Sequence, residues 1–442
     1  MSGYVEYREV NLPWLKAVPA HWEIRRNKNI FTEQKELVGE RSADYTLLSL
    51  TLNGIIPRDM DGGGKFPESF DKYKIVKNGD MAFCLFDIDE TPRTVGLSGY
   101  NGMLTGAYTI MRVSNINAQF IYYYYLALDN GKMLRPLYTG LRKTININTF
   151  QSTKVPVPPR DEQDQIVRFL DWKVSSINKL IAVKQKQIAT LKEFMQTEIE
   201  KQLYAYPVVS VVRLKQLGTF FKGGGFSRDN LVEDEEYPAI LYGDIYTQYE
   251  YKTSIITHHI DRTAYSASRK ILKGDIVMAG TGETKDEIGK SILYMGEQIV
   301  AVGGDVIVFH PNEGTNVEYL LYQLYSQASL KHRYINGKGD IIVHIYPTAL
   351  GNTIITLPGE AEQNKAVARI NKIIDQVNKA ITVLTDEISV LREYRVRLVA
   401  DTVTGKIDVR GIEIPEYEFV DEDNDNVDEN LEQGADEPPE EE

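Results

Sequence analysis

Between Pro158 and Leu203 apolar positions alternate at spacings of four and three: Leu170, Val174, Ile177, Ile181, Ile188 and Leu191, with Lys184 in step. The pattern returns 200 residues later, without a gap, at Ile370, Ile374, Val377, Ile381, Leu384, Ile388 and Leu391. Pairs such as Asn178/Asn378, Lys179/Lys379, Val183/Val383 and Glu193/Glu393 are identical. A seam of period 3.5 predicts a helix that needs a partner helix, and the chain contains two such helices. Ordinary globular helices run only three or four turns, which argues against two amphipathic helices packed separately on their own domains. Asp161, after two prolines, is the expected start of the first helix; Pro207 and Gly405 are the expected stops. About 44 residues at 1.5 Å each make a rod of roughly 66 Å.

The segment before each helix also repeats, more loosely. Tyr45–Leu50, Asp80–Phe86 and Tyr108–Val113 read as strands between glycine turns, and 118–129 as an aromatic-rich helix. In the second half Lys273-Gly274-Asp275-Ile276-Val277 echoes Asn78-Gly79-Asp80-Met81-Ala82, and a helix over 317–330 answers the one at 118–129. The predicted fold is α+β: two mixed α/β domains separated by two long helices that form an antiparallel coiled coil, with a pseudo-two-fold internal repeat. The expected boundaries are 1–157, 158–205 (first helix), 206–357, 358–405 (second helix) and 406–442. Two equivalent halves most simply relate by a two-fold axis, which sets paired helices antiparallel. A rod of roughly 66 Å spans about two turns of B-DNA.

Composition alters this picture in one respect. The net charge is −13, but Glu416–Glu442 holds fourteen Asp or Glu and no Lys or Arg, so Met1–Pro415 carries +1. The acidity belongs to a tail whose composition is that of a disordered segment, either solubilising or a DNA mimic that competes for basic clefts. An acidic chain is therefore no argument against a nucleic-acid partner. One cysteine, Cys84, excludes a disulfide framework and fits a reducing, intracellular setting; between Phe83 and Leu85 it reads as a buried structural thiol. No apolar run is long enough to span a membrane, and the polar start is unlike a signal peptide.

Catalytic motifs are few. Gly289-Lys290-Ser291 ends like a phosphate-binding loop, but Thr284 stands where its first glycine belongs, and a strand-like run follows instead of a helix. The histidines form no zinc cluster. Asp275, Glu283 and Lys285 form the acidic pair and lysine of a metal-dependent nuclease, which keeps an enzyme reading open. A coiled-coil interaction scaffold without a DNA role is the other alternative. Better supported are basic residues beside glycine and aromatic loops, able to neutralise phosphates or read guanine edges. In the first half these are Arg25, Arg26, Lys65, Arg93, Arg142 and Lys143; in the second, Arg213, Lys222, Arg228, Lys285, Lys290, Arg333 and Lys338.

A variable domain, then Val155-Pro156-Val157-Pro158-Pro159 with Glu162-Gln163 and a long helix, then the whole again, resembles the specificity subunit of type I restriction–modification systems. Val18-Pro19-Ala20-His21-Trp22-Glu23 and Val403-Thr404-Gly405-Lys406-Ile407-Asp408-Val409-Arg410 carry the same likeness, which covers about residues 10 to 410. Pro358-Gly359 in place of Pro158-Pro159 is a departure, as is Lys184 where the second copy has Leu384. The resemblance implies two target-recognition domains, each reading half of a split, asymmetric double-stranded DNA site, with the helices as a ruler for the unread spacer. It also implies two methyltransferase (modification) subunits as partners, and endonuclease/translocase (restriction) subunits. S-adenosylmethionine, ATP and Mg would be bound by those partners, leaving this chain without cofactor, metal or catalysis of its own, in a prokaryotic cytoplasm.

Overall fold

The architecture is that of a computed structural model describing residues 2–58, 67, 69–138, 143–233 and 237–420. It divides into two compact units: Met1–Lys186 with Leu384–Glu442, and Gln187–Val383. The division falls within the long helices, so each unit owns a recognition domain and a stretch of both.

The long helices are Arg160–Leu203 and Glu360–Val403. The first begins one residue before Asp161, which lies inside the first turn, where its charge complements the helix dipole. Leu203 ends it well short of Pro207. The second closes on Gly405 at φ +77°, where a side chain would collide with Pro19. Within each unit the two helices are antiparallel. In the first unit Asn178 Oδ1 accepts from Arg395 at 2.7 Å and Lys184 Nζ meets Glu387 at 2.5 Å. In the second, Arg369 reaches Gln202 at 3.4 Å. The seam residues named above are all buried or half-buried. The lysine in the seam is thus answered by a carboxylate on the facing stretch of the partner helix.

In the first unit the central sheet runs, edge to edge, Phe31–Gln34, Thr109–Val113, Asp80–Phe83 and Val95–Leu97, all antiparallel. Asp80–Phe83 is buried on both faces, as a central strand should be. Phe31, Phe83, Tyr125 and Phe150 form an aromatic core with ring centroids 4.8–6.0 Å apart. The second unit has two five-stranded sheets. One centres on Val306–Pro311 and Ile276–Ala279, the counterparts of Thr109–Val113 and Asp80–Phe83. The expected helix over 317–330 is two helices, Val317–Leu324 and Gln327–Asn336, because Ser326 turns the chain and caps the second through Ser329 N–H.

Both domains are fastened to their helix in the same way. Asn117 caps Ala118–Asn130, takes its own N–H to Gln163 Oε1 at 2.8 Å, and gives Nδ2–H to Asp164 at 2.7 Å; Tyr123 donates to Asp171 at 2.6 Å. In the second unit Asn316 caps its helix and donates to Asn364 at 2.8 Å, and Tyr322 donates to Asn371 at 2.5 Å. Gln163 and Gln363 each donate back to the carbonyl of the first proline, Pro158 or Pro358, fixing the strand-to-helix corner.

The neighbouring glutamates differ. Glu162 is buried and accepts from Tyr4 Oη at 2.6 Å, Trp22 Nε1 at 2.9 Å and His21 Nε2 at 2.7 Å. The first residues meet the segment after the second helix there: Asp408 N–H donates to Ser2 O at 3.0 Å, Tyr7 Oη to Gly405 O at 3.0 Å, and Arg410 lies over the Tyr4 ring. Beyond Arg410 the chain follows the first helix. Gln165 donates to Val409 O and Ile412 O, Ser175 Oγ to Glu418 O, and Val420 N–H back to Ser175 Oγ. Glu416–Val420, expected to be part of a disordered tail, is therefore held; 421–442 lies outside the described residues.

Two outcomes follow from these contacts. Glu162→Ala leaves two buried donors, Tyr4 and Trp22, without an acceptor and should cost about 2–4 kcal/mol in denaturant unfolding. Glu362→Ala, whose side chain is 35% exposed beside Lys365, should cost less than about 1 kcal/mol. Burial raises the Asp171 carboxyl above its ordinary value, so it is easier to ionise in the unfolded chain. That stability is complete only below the unfolded pKa and is lost as pH rises through the folded one. Asp171→Asn, the residue type found at 371, should therefore raise the melting temperature at pH 7 and leave it unchanged at a pH below the ordinary aspartate value.

Candidate nucleic-acid interface

The predicted cations fall into three groups. Lys65 and Arg142 lie outside the described residues. A second group is committed to the fold. Arg333 is 4% exposed and donates from Nη1 to Gly289 O at 2.7 Å and Ser291 Oγ at 3.3 Å, with its guanidinium near the Tyr325 ring. Arg93 pairs with buried Asp129 at 3.1 Å and also donates to Asn130. Asp129 in turn accepts from Thr94 and Lys132, so the Arg93 guanidinium helps hold a loop to a helix. Lys290 is half-buried, donates to Tyr246 O at 3.2 Å, and is pulled below the ordinary lysine value by burial. Arg25 is folded back on Glu23 at 2.7 Å and on the Asn115 carbonyl.

The third group faces water. Arg26, Arg213, Lys222, Arg228 and Lys338 are exposed, and Lys222 lies 3.4 Å from Asp305. Lys285 sits 3.8 Å from Asp340. Lys143 is held by Glu90, which with Asp89 keeps its ammonium above the ordinary lysine value. These side chains can approach a phosphate backbone; each paired one must exchange a carboxylate for a phosphate.

Arg26 and Arg213 occupy matching places. Each ends a strand, Glu23–Arg26 or Ser210–Arg213, that pairs with the strand leading into the long helix. Lys143 and Lys338 belong to the loops that reach each unit's central strand. Phe86 bridges to Thr144 in the first unit, and Thr281 pairs with His344 in the second. The periodic charge pattern of the sequence does not separate Arg333 from Lys338, because only packing decides which cation is enclosed.

The nuclease trio does not assemble into a metal-binding cluster. Asp275 is buried; its Oδ2 accepts from Leu272 N–H at 2.8 Å and its Oδ1 lies 2.5 Å from His310 Nδ1. Asp80 does the same work in the first unit, accepting from Lys77 N–H at 3.0 Å and meeting Arg112 at 3.3 Å. Gly79 and Gly274, at φ +88° and +93°, make both turns possible. The repeated Gly-Asp is thus a turn staple. Among the described residues no group of three His, Cys, Asp or Glu could hold a metal ion. Burial pushes the Cys84 thiol up to about 11, so it is a poor nucleophile at neutral pH.

The family model for the type I restriction modification DNA specificity domain matches twice, over residues 69–203 and 208–389. The chain belongs to this family and carries its domain in duplicate, which makes it a DNA sequence-recognition subunit of a type I restriction–modification system. No curated protein matches its sequence significantly. Among solved structures, it is similar to a chain from work on complex assembly and conformational transition of the type I R-M system. That likeness has TM-score 0.60 and 14% identity, covering 88% of this chain and 99% of the other. The HsdS subunit from Thermoanaerobacter tengcongensis (TM-score 0.44, 14% identity, 88% and 98% covered) and the S subunit from M. genitalium (0.36, 15%, 92% and 100%) are also similar. No helix among the described residues is long and apolar enough to cross a membrane.

The enclosed and exposed cations predict opposite phenotypes. Arg333→Ala should destabilise the second unit by about 2–3 kcal/mol, since it orphans buried acceptors. Lys338→Ala should leave unfolding within about 0.5 kcal/mol of the parent while weakening DNA binding, with a shallower salt dependence.

Proposed function

We propose that each recognition domain reads one half of a split, asymmetric DNA site, and that the helix pair sets the length of the unread spacer between the halves. The observation that carries this is the duplication itself: one chain holds the specificity domain twice, each copy running into a helix of 44 residues. Each helix is continuous through the point where the compact units divide, so its length is a covalent constraint on both. Arg26, Lys143, Arg213, Lys222, Arg228, Lys285 and Lys338 would contact DNA, and the two halves need not read alike because their loops differ.

The chain would recruit two DNA-adenine methyltransferase subunits through outward faces of the helices, and endonuclease/translocase subunits with them. S-adenosylmethionine, ATP and Mg²⁺ would be held by those partners, and the base would be flipped by the methyltransferases at positions this chain selects. The chain itself would be non-catalytic and work in the cytoplasm. The likeness to a chain studied in type I R-M assembly supports partner subunits in general.

Methylated sites mapped in cells carrying this chain with its methyltransferase should be bipartite. Indiscriminate methylation by the reconstituted complex would refute the reading. Insertion of one heptad into both helices adds roughly 10 Å and should lengthen the preferred spacer by about three base pairs. An unchanged spacer would remove the ruler role.

A further inference from the structure

The loops that precede the long helices can be matched residue by residue between the halves. The bridge Phe86–Thr144 corresponds to Thr281–His344, and Ile145 and Ile345 are both buried and hydrogen-bonded to the adjoining strand, through Leu85 O and Gly280 O. The 200-residue offset of the helices therefore holds back to position 144. Across that register the first half has Leu141-Arg142-Lys143 where the second has Ile341-Ile342-Val343. Of the first set only Lys143 is described, and it is a partly exposed cation. The second set is apolar, and its two leading members stand in water: Ile341 is 89% exposed and Ile342 56%.

This exposure is built into the loop. Lys338 and His344 exchange both backbone hydrogen bonds, at 2.9 and 2.8 Å, and so close the loop. Val343 is buried beneath it. Gly339 has φ +113°, and a Cβ there would lie 2.0 Å from the Ile342 carbonyl oxygen, so only glycine allows this turn. Asp340 leans to Lys285, and Lys338 is exposed at the loop's base. A tight hairpin anchored at both ends and underneath thus presents two isoleucines to water. Apolar residues held in water on a rigid scaffold mark an interaction site.

We propose that Ile341 and Ile342 are specificity-determining residues of the second recognition domain, packing on thymine C5-methyl groups in its half-site. This deepens the proposed function and rests on it. Aliphatic side chains have neither donor nor acceptor and cannot read guanine, cytosine or adenine edges. The thymine methyl is the apolar group that a base pair presents in the major groove.

The test uses the complex of the full chain with its methyltransferase, on duplexes carrying the mapped site. Each thymine is replaced in turn by deoxyuridine, which removes only the methyl. Losing one buried methyl should weaken binding about fourfold, at one or two thymines confined to a single half-site. The Ile341→Ser/Ile342→Ser chain, altered only at exposed positions, should keep its melting temperature and its affinity for the methyltransferase while becoming insensitive to the same replacements. Four results overturn the proposal: a half-site pair without a sensitive thymine, equal sensitivity in the variant, a variant that loses its protein partner instead, or a variant with unchanged specificity. A parent complex that binds no specific site at all overturns the proposed function as well, whereas specific but methyl-indifferent binding overturns this inference alone.

Discussion

Burial of a narrow apolar seam between two antiparallel helices is the constraint on which the other features depend. A helix of this length with a single hydrophobic stripe gains its stability from tertiary packing, and in water alone it would be marginal. Each recognition domain is then attached to a helix that already has a partner, through an asparagine cap and a tyrosine hydroxyl. Because these attachments fall on the same helix positions in both units, the geometry of domain on helix is repeated even where the domains diverge. Strands and loops away from that junction differ between the halves.

The repeat is nevertheless unequal, and residues 2–22 with the segment after the second helix cause the inequality. Tyr4, His21 and Trp22 converge on Glu162, and the segment after the second helix runs back along the first as far as Val420. Glu362, the corresponding residue of the repeat, is partly exposed next to Lys365. Likewise Asp171 and Asn371 receive the same tyrosine hydroxyl with different electrostatic consequences: burial opposes ionisation of the first and has no charge to act on in the second. Identical sequence positions thus differ in energy according to what the remainder of the chain brings to them.

The candidate cations were legible in the sequence, but which of them the fold encloses was not. Arg213 and Lys338 are exposed as expected, whereas Arg333 supports a loop from inside and Arg93 closes a buried carboxylate network. Nor did local sequence point to Ile341 and Ile342: an aliphatic pair next to a buried valine reads as core until the closed hairpin turns it outward. The Gly-Asp pair was recognisable as a repeat, but its function as a turn staple, rather than as a metal ligand, depends on which backbone N–H groups the carboxylate meets.

By itself the amino-acid sequence determined the duplication, the period and extent of the two helices, their need for each other and the family to which the chain belongs. These are properties of spacing, and spacing survives in one dimension because helical periodicity projects directly onto residue number. Tertiary structure alone decided which charges are enclosed, which hydrophobic pair is displayed, and where the first residues meet the segment after the second helix. Those outcomes depend on contacts between residues far apart in sequence, whose approach is fixed only when the backbone has been packed.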